Sequence, residues 1–325
     1  MRAEPGSTRP DAAAGRPART VFFGSGAFAG PILDAVRNAP ETDLVAVVTT
    51  PDRPAGRHGV VTATPVAARA RELGVPLLQP PGLRGPNAFQ AIAGFDPELG
   101  VLADYGRIVP PAILDLFQRG ILNVHPSPLP RHRGATPIPA TILAGDEATA
   151  VTLIEMDEGL DTGPIVADAV TPVRPTERTP ELEARLAELG AELVRRKVGP
   201  WLRGEITPAP QPIEGATLTR PLRREDGRLD PSRPAEQLER QVRAFDPWPG
   251  AWLETPAGRL AVLRAHVDEG VSRAAPGRLG PGPDLRLGTA DGWLVLDEVQ
   301  PASGRRMAGG AWLRGRPSVV GSVVG

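Results

Sequence analysis

Thr20-Val21-Phe22-Phe23-Gly24-Ser25-Gly26, followed after a helical interval by Leu44–Thr50, is the stretch that decides the fold of this chain. Thr20–Phe23 is a short apolar run closed by glycines and reads as a buried strand; the segment up to about Asn38 reads as a helix, and Leu44–Thr50 as a second buried strand. A strand, a helix and a strand make a βαβ unit, whose handed crossover builds parallel sheets. Thr64-Pro65 supplies an N-cap and an N1 proline for a further helix that Gly74 stops. Val75–Leu78, Leu99–Ala103 and Ile121–His125 follow as strands, then Ala135–Ala144 as a helix, Val151–Glu155 and Ile165–Val170 as strands, and Glu181–Leu202 as a long amphipathic helix. The expected fold class is α/β, with a Rossmann-like, doubly wound, mostly parallel sheet.

Inside that pattern, Asn123-Val124-His125 lies on a strand, where residues two apart project to one face. Asn123 and His125 are therefore expected to look into one cleft. Asp161, in Gly159-Leu160-Asp161-Thr162-Gly163, sits on a glycine-bracketed turn from which a carboxylate can approach an imidazole. An amide, an imidazole and a carboxylate suit acyl transfer to an amine: two donors for a developing oxyanion, and a carboxylate that orients the ring, favours its charged form and assists proton removal. Between them runs a proline-rich loop from Pro126 to Ile138, at a strand carboxyl end where open α/β sheets bind ligands.

Asn123-Val124-His125, Ser127-Pro128-Leu129-Pro130-Arg131-His132-Arg133-Gly134-Ala135-Thr136-Pro137-Ile138 and Gly159-Leu160-Asp161-Thr162-Gly163 together resemble the signature of the 10-formyltetrahydrofolate-dependent formyltransferases, in their tRNA-acting branch. Thr50-Pro51-Asp52-Arg53-Pro54-Ala55-Gly56-Arg57 resembles that branch's loop over the tRNA acceptor end. Arg224–Asp230, Arg243–Trp252 and Val299–Ala302 resemble its C-terminal domain, so the similarity covers nearly everything after residue 18. The resemblance implies formyl transfer from 10-formyltetrahydrofolate to the α-amine of initiator methionyl-tRNA. Asn123, His125 and Asp161 would be catalytic. Tyr105, Gly106, Ile108, Ser127, Pro128, Leu129 and Pro130 would hold the folate, and Gly24, Phe28, Arg53 and Arg57 the methionyl-tRNA. Formylation of another amine, such as an amino sugar, or hydrolysis of formyltetrahydrofolate would use the same trio.

Departures from the family pattern qualify the resemblance: His58-Gly59-Val60-Val61 follows Arg57 where many relatives have lysines, and two more lie near the folate residues. Pro128 stands where the family usually has leucine, which removes one backbone donor. Asp104 precedes Tyr105 where a small residue is common, which adds a carboxylate beside the pterin-side loop.

Composition excludes several other functions. The chain has 325 residues with 41% hydrophobic content, no cysteine, and histidines at 58, 125, 132 and 266 without metal-ligand spacing, so no disulfide and no metal is expected. A formal charge of −1 does not fit a protein that coats DNA, and leaves tRNA contact to local clusters such as Arg305, Arg306, Arg314 and Arg316. Gly24, Gly26 and Gly30 are spaced one residue wider than a dinucleotide fingerprint, so NAD is not expected; that they form a tight turn lining the acceptor cleft is what the resemblance implies.

Residues 1–18, rich in Ala, Pro and Arg, read as a disordered extension; neither a signal peptide nor a membrane span is visible, so the expected location is the cytoplasm and the expected state a monomer. The catalytic domain is expected over 19–203 and a polyproline-like linker, with Pro208, Pro210 and Pro212, over 204–215. The runs Ala251–Glu254, Leu260–Arg264 and Trp293–Leu296 within 216–325 suit a small β-barrel, which the resemblance makes OB-like and tRNA-binding. Trp248, Trp252 and Trp293 are expected in its core.

Overall fold

A computed structural model describes residues 16–55, 60–270 and 275–324. By its contacts the chain divides into two units: Met1–Ala135, Ala148–Thr171 and Glu183–Thr219 in the first, Thr136–Glu147, Pro172–Leu182 and Arg220–Gly325 in the second.

The first unit is built on a seven-stranded sheet. In spatial order the strands are Ile165–Pro172, Ala148–Glu155, Ile121–His125, Leu99–Ala103, Ala18–Gly24, Thr42–Val48 and Leu77–Leu78. Ala18–Gly24 runs parallel to both of its neighbours, as a βαβ opening requires, and Leu99–Ala103 is parallel to Ile121–His125. The one departure from parallel pairing at Ile121–His125 is Ala148–Glu155, which lies antiparallel to it.

The central strands are apolar on both faces because helices cover both faces of such a sheet. Phe22 and Phe23 are fully buried, each burial contributing roughly 1.5–3 kcal/mol. Phe23 packs edge-on against Tyr105 and Phe117, which anchors the loop after Leu99–Ala103 to the core. The helix read after the glycine turn begins at Ala29 and ends at Asn38. Thr64 caps Pro65–Glu72 by accepting a hydrogen bond from the Ala67 amide at 3.0 Å, and Gly74 follows at φ 66°.

Arg53–Ala55 and Val60–Thr62 pair as a short antiparallel ladder. Arg57 lies outside the described residues, as does nearly all of the N-terminal extension; the chain from Arg16 is in place, with its guanidinium 2.7 Å from Glu98. The proline-rich stretch around residues 204–215 runs along the first unit, where Ala209 bridges Ile165 and Leu218–Thr219 pairs in parallel with Arg133–Gly134.

The second unit is a curled antiparallel half-barrel. Its strands Ala251–Thr255, Gly258–Val267, Trp293–Pro301 and Arg286–Gly288 are neighbours in that order, and Met307–Ala308 pairs with Trp293–Pro301. Leu253, Leu260, Leu287, Leu294 and Trp312 fill its core together with Leu238 from the helix Ala235–Ala244. The expected core role of Trp248 is overturned: it is 53% exposed, with the Arg224 guanidinium 6.0 Å from its ring. It sits between Pro247 and Pro249 in a turn outside the ladder, so neither face is taken by a strand. Trp252 is partly buried and carries Arg259 at 3.9 Å over its ring.

Candidate active site

Strand alternation places Asn123 and His125 on one face at the carboxyl end of Ile121–His125, both nearly buried at 6% and 5% exposure. The glycine-bracketed turn brings Asp161 to them. Its backbone takes φ 52°, a left-handed conformation that Asp tolerates better than most residues. The turn is tied on both sides: Thr162 Oγ1 donates to Asp157 at 2.8 Å, and Gln211 Nε2 donates to the Asp161 and Gly163 carbonyls at 2.8 and 2.7 Å. Arg133 in turn donates to Gln211 Oε1 at 2.7 Å, which fixes the amide orientation because that oxygen can only accept.

The Asp161 carboxylate is thereby shared. Its Oδ1 accepts from Asn123 Nδ2 at 3.0 Å and its Oδ2 from the Gly134 amide at 2.7 Å. His125 Nδ1 stands 3.7 Å from Oδ2, within ion-pair range but too far for a hydrogen bond. The other ring nitrogen, Nε2, is 3.0 Å from the His132 carbonyl, so Nε2 carries a proton and Nδ1 is the atom left for a reacting group. His132 is itself held in the left-handed region, φ 57°, with its amide donating to Thr217 Oγ1 at 2.8 Å. An amide with a second N–H to spare and an imidazole with one unengaged nitrogen therefore face the cleft side by side.

A cavity of about 630 Å³, within the usual range for small-molecule sites, opens past the carboxyl ends of Ala18–Gly24 and Leu99–Ala103; none of Asn123, His125 and Asp161 lines it. Tyr105, Gly106 and Arg53 line it, as do Ser25, Gly26 and Asp104. Tyr105 is 1% exposed and its phenolic oxygen has no partner, a condition that costs about 1–3 kcal/mol unless a ligand supplies one. Burial pushes that phenol up to about 12, with Arg107 opposing the shift.

The remaining expected binding residues are spread more widely. Ser127 is fully buried and donates to the Arg131 carbonyl at 2.7 Å, and Leu129 and Pro130 are buried while Pro128 is partly exposed; none of the four lines the cavity. Ile108 is 72% exposed. Phe28 is only 2% exposed, so its ring belongs to the core. Gly24 makes the tight turn read from the sequence: a Cβ there would lie 2.9 Å from the Ala103 carbonyl.

Gln211 and Thr217 escaped the sequence reading altogether. A lone amide between Pro210 and Pro212 was the signal for the first, and a composition dominated by proline obscured it. No group of three or more His, Asp or Glu able to hold a metal ion occurs among the described residues, and none of their helices is long and apolar enough to cross a membrane.

Comparison with known proteins bears on this geometry. Residues 18–198 match the formyl transferase family model, and residues 221–317 match the formyl transferase C-terminal domain model. The chain is 43% identical over 301 residues to methionyl-tRNA formyltransferase of Chloroflexus aurantiacus, covering 91% of this chain and 96% of that one. It is 43% identical over 306 residues to methionyl-tRNA formyltransferase of Myxococcus xanthus, covering 94% and 97%. Among solved structures, HypX from Aquifex aeolicus in complex with tetrahydrofolic acid superposes with a TM-score of 0.62 at 18% identity, covering 92% of this chain and 47% of that one, a likeness of fold.

Proposed function

The chain belongs to the formyl transferase family, and on that premise we propose that it moves a formyl group from 10-formyltetrahydrofolate to the α-amine of initiator methionyl-tRNA. The observation that carries the reading is the Asp161 carboxylate held between Asn123 Nδ2 and the Gly134 amide with His125 alongside, in a chain that spans 96% of a relative named methionyl-tRNA formyltransferase.

In this reading the amine nitrogen attacks the formyl carbon. A new C–N bond forms, and the carbonyl oxygen gains charge. Asn123 Nδ2, through its second N–H, and a protonated His125 Nδ1 donate to that oxygen. Each such donor contributes about 2.7–4 kcal/mol to the barrier lowering. Collapse of the tetrahedral centre breaks the bond to the folate nitrogen, which leaves carrying the proton that the attacking nitrogen gives up as it becomes an amide. Asp161 orients Asn123 by its hydrogen bond and favours the charged form of His125 from ion-pair distance, while the His132 carbonyl holds the ring.

The folate is read as lying by Tyr105 and Gly106, whose cavity and unpartnered phenol suit a flat, hydrogen-bonding heterocycle. Ile108 and the Ser127–Pro130 turn are assigned to its outer contacts. Arg53, exposed at the cavity edge, and Arg57 are assigned to the tRNA backbone, with Gly24 shaping the acceptor side. The second unit is assigned to the tRNA body. Because charged tRNA is the acceptor, the enzyme is placed in the cytoplasm, acting as a monomer.

The test is an assay of the purified protein with 10-formyltetrahydrofolate and charged initiator tRNA, counting formyl-methionyl ester. Formylation that requires the tRNA body supports the reading. Release of formate, or formylation of a small amine alone, sinks the tRNA assignment.

A further inference from the structure

An ammonium cannot attack a formyl carbon until it loses a proton, and Asp161 is poorly placed to take it, since Asn123 and Gly134 already occupy its oxygens. A second carboxylate, Asp104, lies just past the carboxyl end of the neighbouring strand Leu99–Ala103. The register of the parallel pair, Leu102 opposite Asn123, brings Asp104 to the level of His125 on the adjacent strand, where strands lie roughly 4.8 Å apart. Asp104 takes φ 45°, and its backbone carbonyl accepts from the Ser25 and Gly26 amides at 3.0 and 3.3 Å. Its carboxylate rests against Gly26 so closely that a Cβ there would meet Oδ2 at 1.7 Å. The missing side chain of residue 26 is the space that holds this group at the cavity. Asp104 is the only carboxylate lining that cavity among the described residues, and Arg53 and Arg107 are its two cations.

We propose that Asp104 receives the α-ammonium of the incoming aminoacyl ester and accepts its proton, freeing the amine for attack. This rests on the formyl-transfer reading above. One N–H bond breaks and one O–H bond forms on the carboxylate; the charges of the pair go from plus and minus to none, and no other reactant is needed. The nitrogen lone pair then adds to the formyl carbon held at Asn123 and His125.

The electrostatics of the loop agree. Surrounding protein raises Asp104 to about 7, chiefly by desolvation and then by the Glu183 carboxylate on the helix Thr179–Leu202, close to the range in which an amino ester gives up its proton. Asp104 is exposed to solvent at the cavity wall, and that solvent screens part of the shift. The other titratable groups on the same cavity are Tyr105 and Arg107 on its own loop and Arg53.

The experiment measures kcat/KM for charged initiator tRNA with the wild type and D104N between about pH 6.5 and 8.5; asparagine tolerates the same positive φ. A general base lost in D104N gives a deficit of about 100-fold at the acid end that shrinks to within about threefold at the alkaline end, where the amine arrives already neutral. A deficit constant across pH, or none at the acid end, overturns the proposal. D104G, which also accepts this backbone, repeats the measurement should the amide disturb the cavity. A wild type inactive on charged tRNA at every pH removes the formyl-transfer reading itself, an outcome distinct from a pH-independent deficit.

Discussion

Asn123 Nδ2 and Asp161 Oδ1 lie 3.0 Å apart although 38 residues separate them, and this one hydrogen bond joins the strand and the turn into a single site. It sets the amide's orientation: the oxygen of Asn123 cannot face a carboxylate, so the nitrogen does, and one N–H of that nitrogen remains beyond this bond.

Asp161→Asn keeps the shape and removes the charge. One of its two acceptor positions becomes a donor facing either Asn123 Nδ2 or the Gly134 amide, so one of the two bonds is lost. We expect kcat to fall about 100- to 1000-fold, the scale of removing one oxyanion donor, with little change in the circular dichroism spectrum. A variant within threefold of wild type in single-turnover measurements would take Asp161 out of the mechanism.

Gln211→Ala removes both hydrogen bonds to the Asp161 and Gly163 carbonyls and strands the Arg133 guanidinium. At about 0.5–1.5 kcal/mol for each bond, thermal unfolding should move down by several degrees. If the turn positions Asp161, kcat drops roughly tenfold while KM for folate holds, since a small misplacement of reacting groups is costly. A lowered melting temperature with wild-type kcat assigns Gln211 to the fold alone.

Gly26→Ala puts a methyl group on the Asp104 carboxylate. Overpacking of this kind typically destabilises by about 1–3 kcal/mol. The clash predicts non-additivity: Gly26→Ala combined with Asp104→Ala should be less destabilised than the sum of the singles, by about 0.5–3 kcal/mol in denaturant titrations. Additive single effects would mean that the two residues do not meet.

Asp104 also predicts a pH dependence of stability. Its folded-state pKa is raised to about 7, by desolvation first and Glu183 second, so the native state binds this proton more tightly than the unfolded chain. That contribution is fully present below the ordinary carboxylate value and is lost as pH rises through about 7. Asp104→Asn should therefore raise the melting temperature relative to wild type at about pH 8 and leave it little changed at about pH 4. Solvent at the carboxylate's exposed edge limits the size of the gain. Parallel melting curves for the two proteins at every pH would contradict it.

The sequence by itself determined what local periodicity and turn chemistry can carry. The apolar run Thr20–Phe23 closed by Gly24, the cap at Thr64-Pro65 and the strand Ile121–His125 all stand where alternation and punctuation placed them, and Asn123 and His125 share a face because strand geometry permits nothing else. The same local signals could not reveal that Ala148–Glu155 pairs antiparallel, because a buried strand's composition is indifferent to the direction of its neighbour. Nor could they expose Trp248, since an aromatic residue between prolines looks apolar whether or not a layer covers it.

Only the tertiary structure decided which groups share one carboxylate. Gln211 reaches the Asp161 turn from 50 residues away, and Gly26 meets an Asp104 that lies on another strand's loop. These contacts depend on where chain folding brings separated segments, and no periodicity within a segment records them. The residue types of the candidate site were legible in the sequence; the bonding of Asp161 was not, because it follows from which donors the fold brings to its two oxygens.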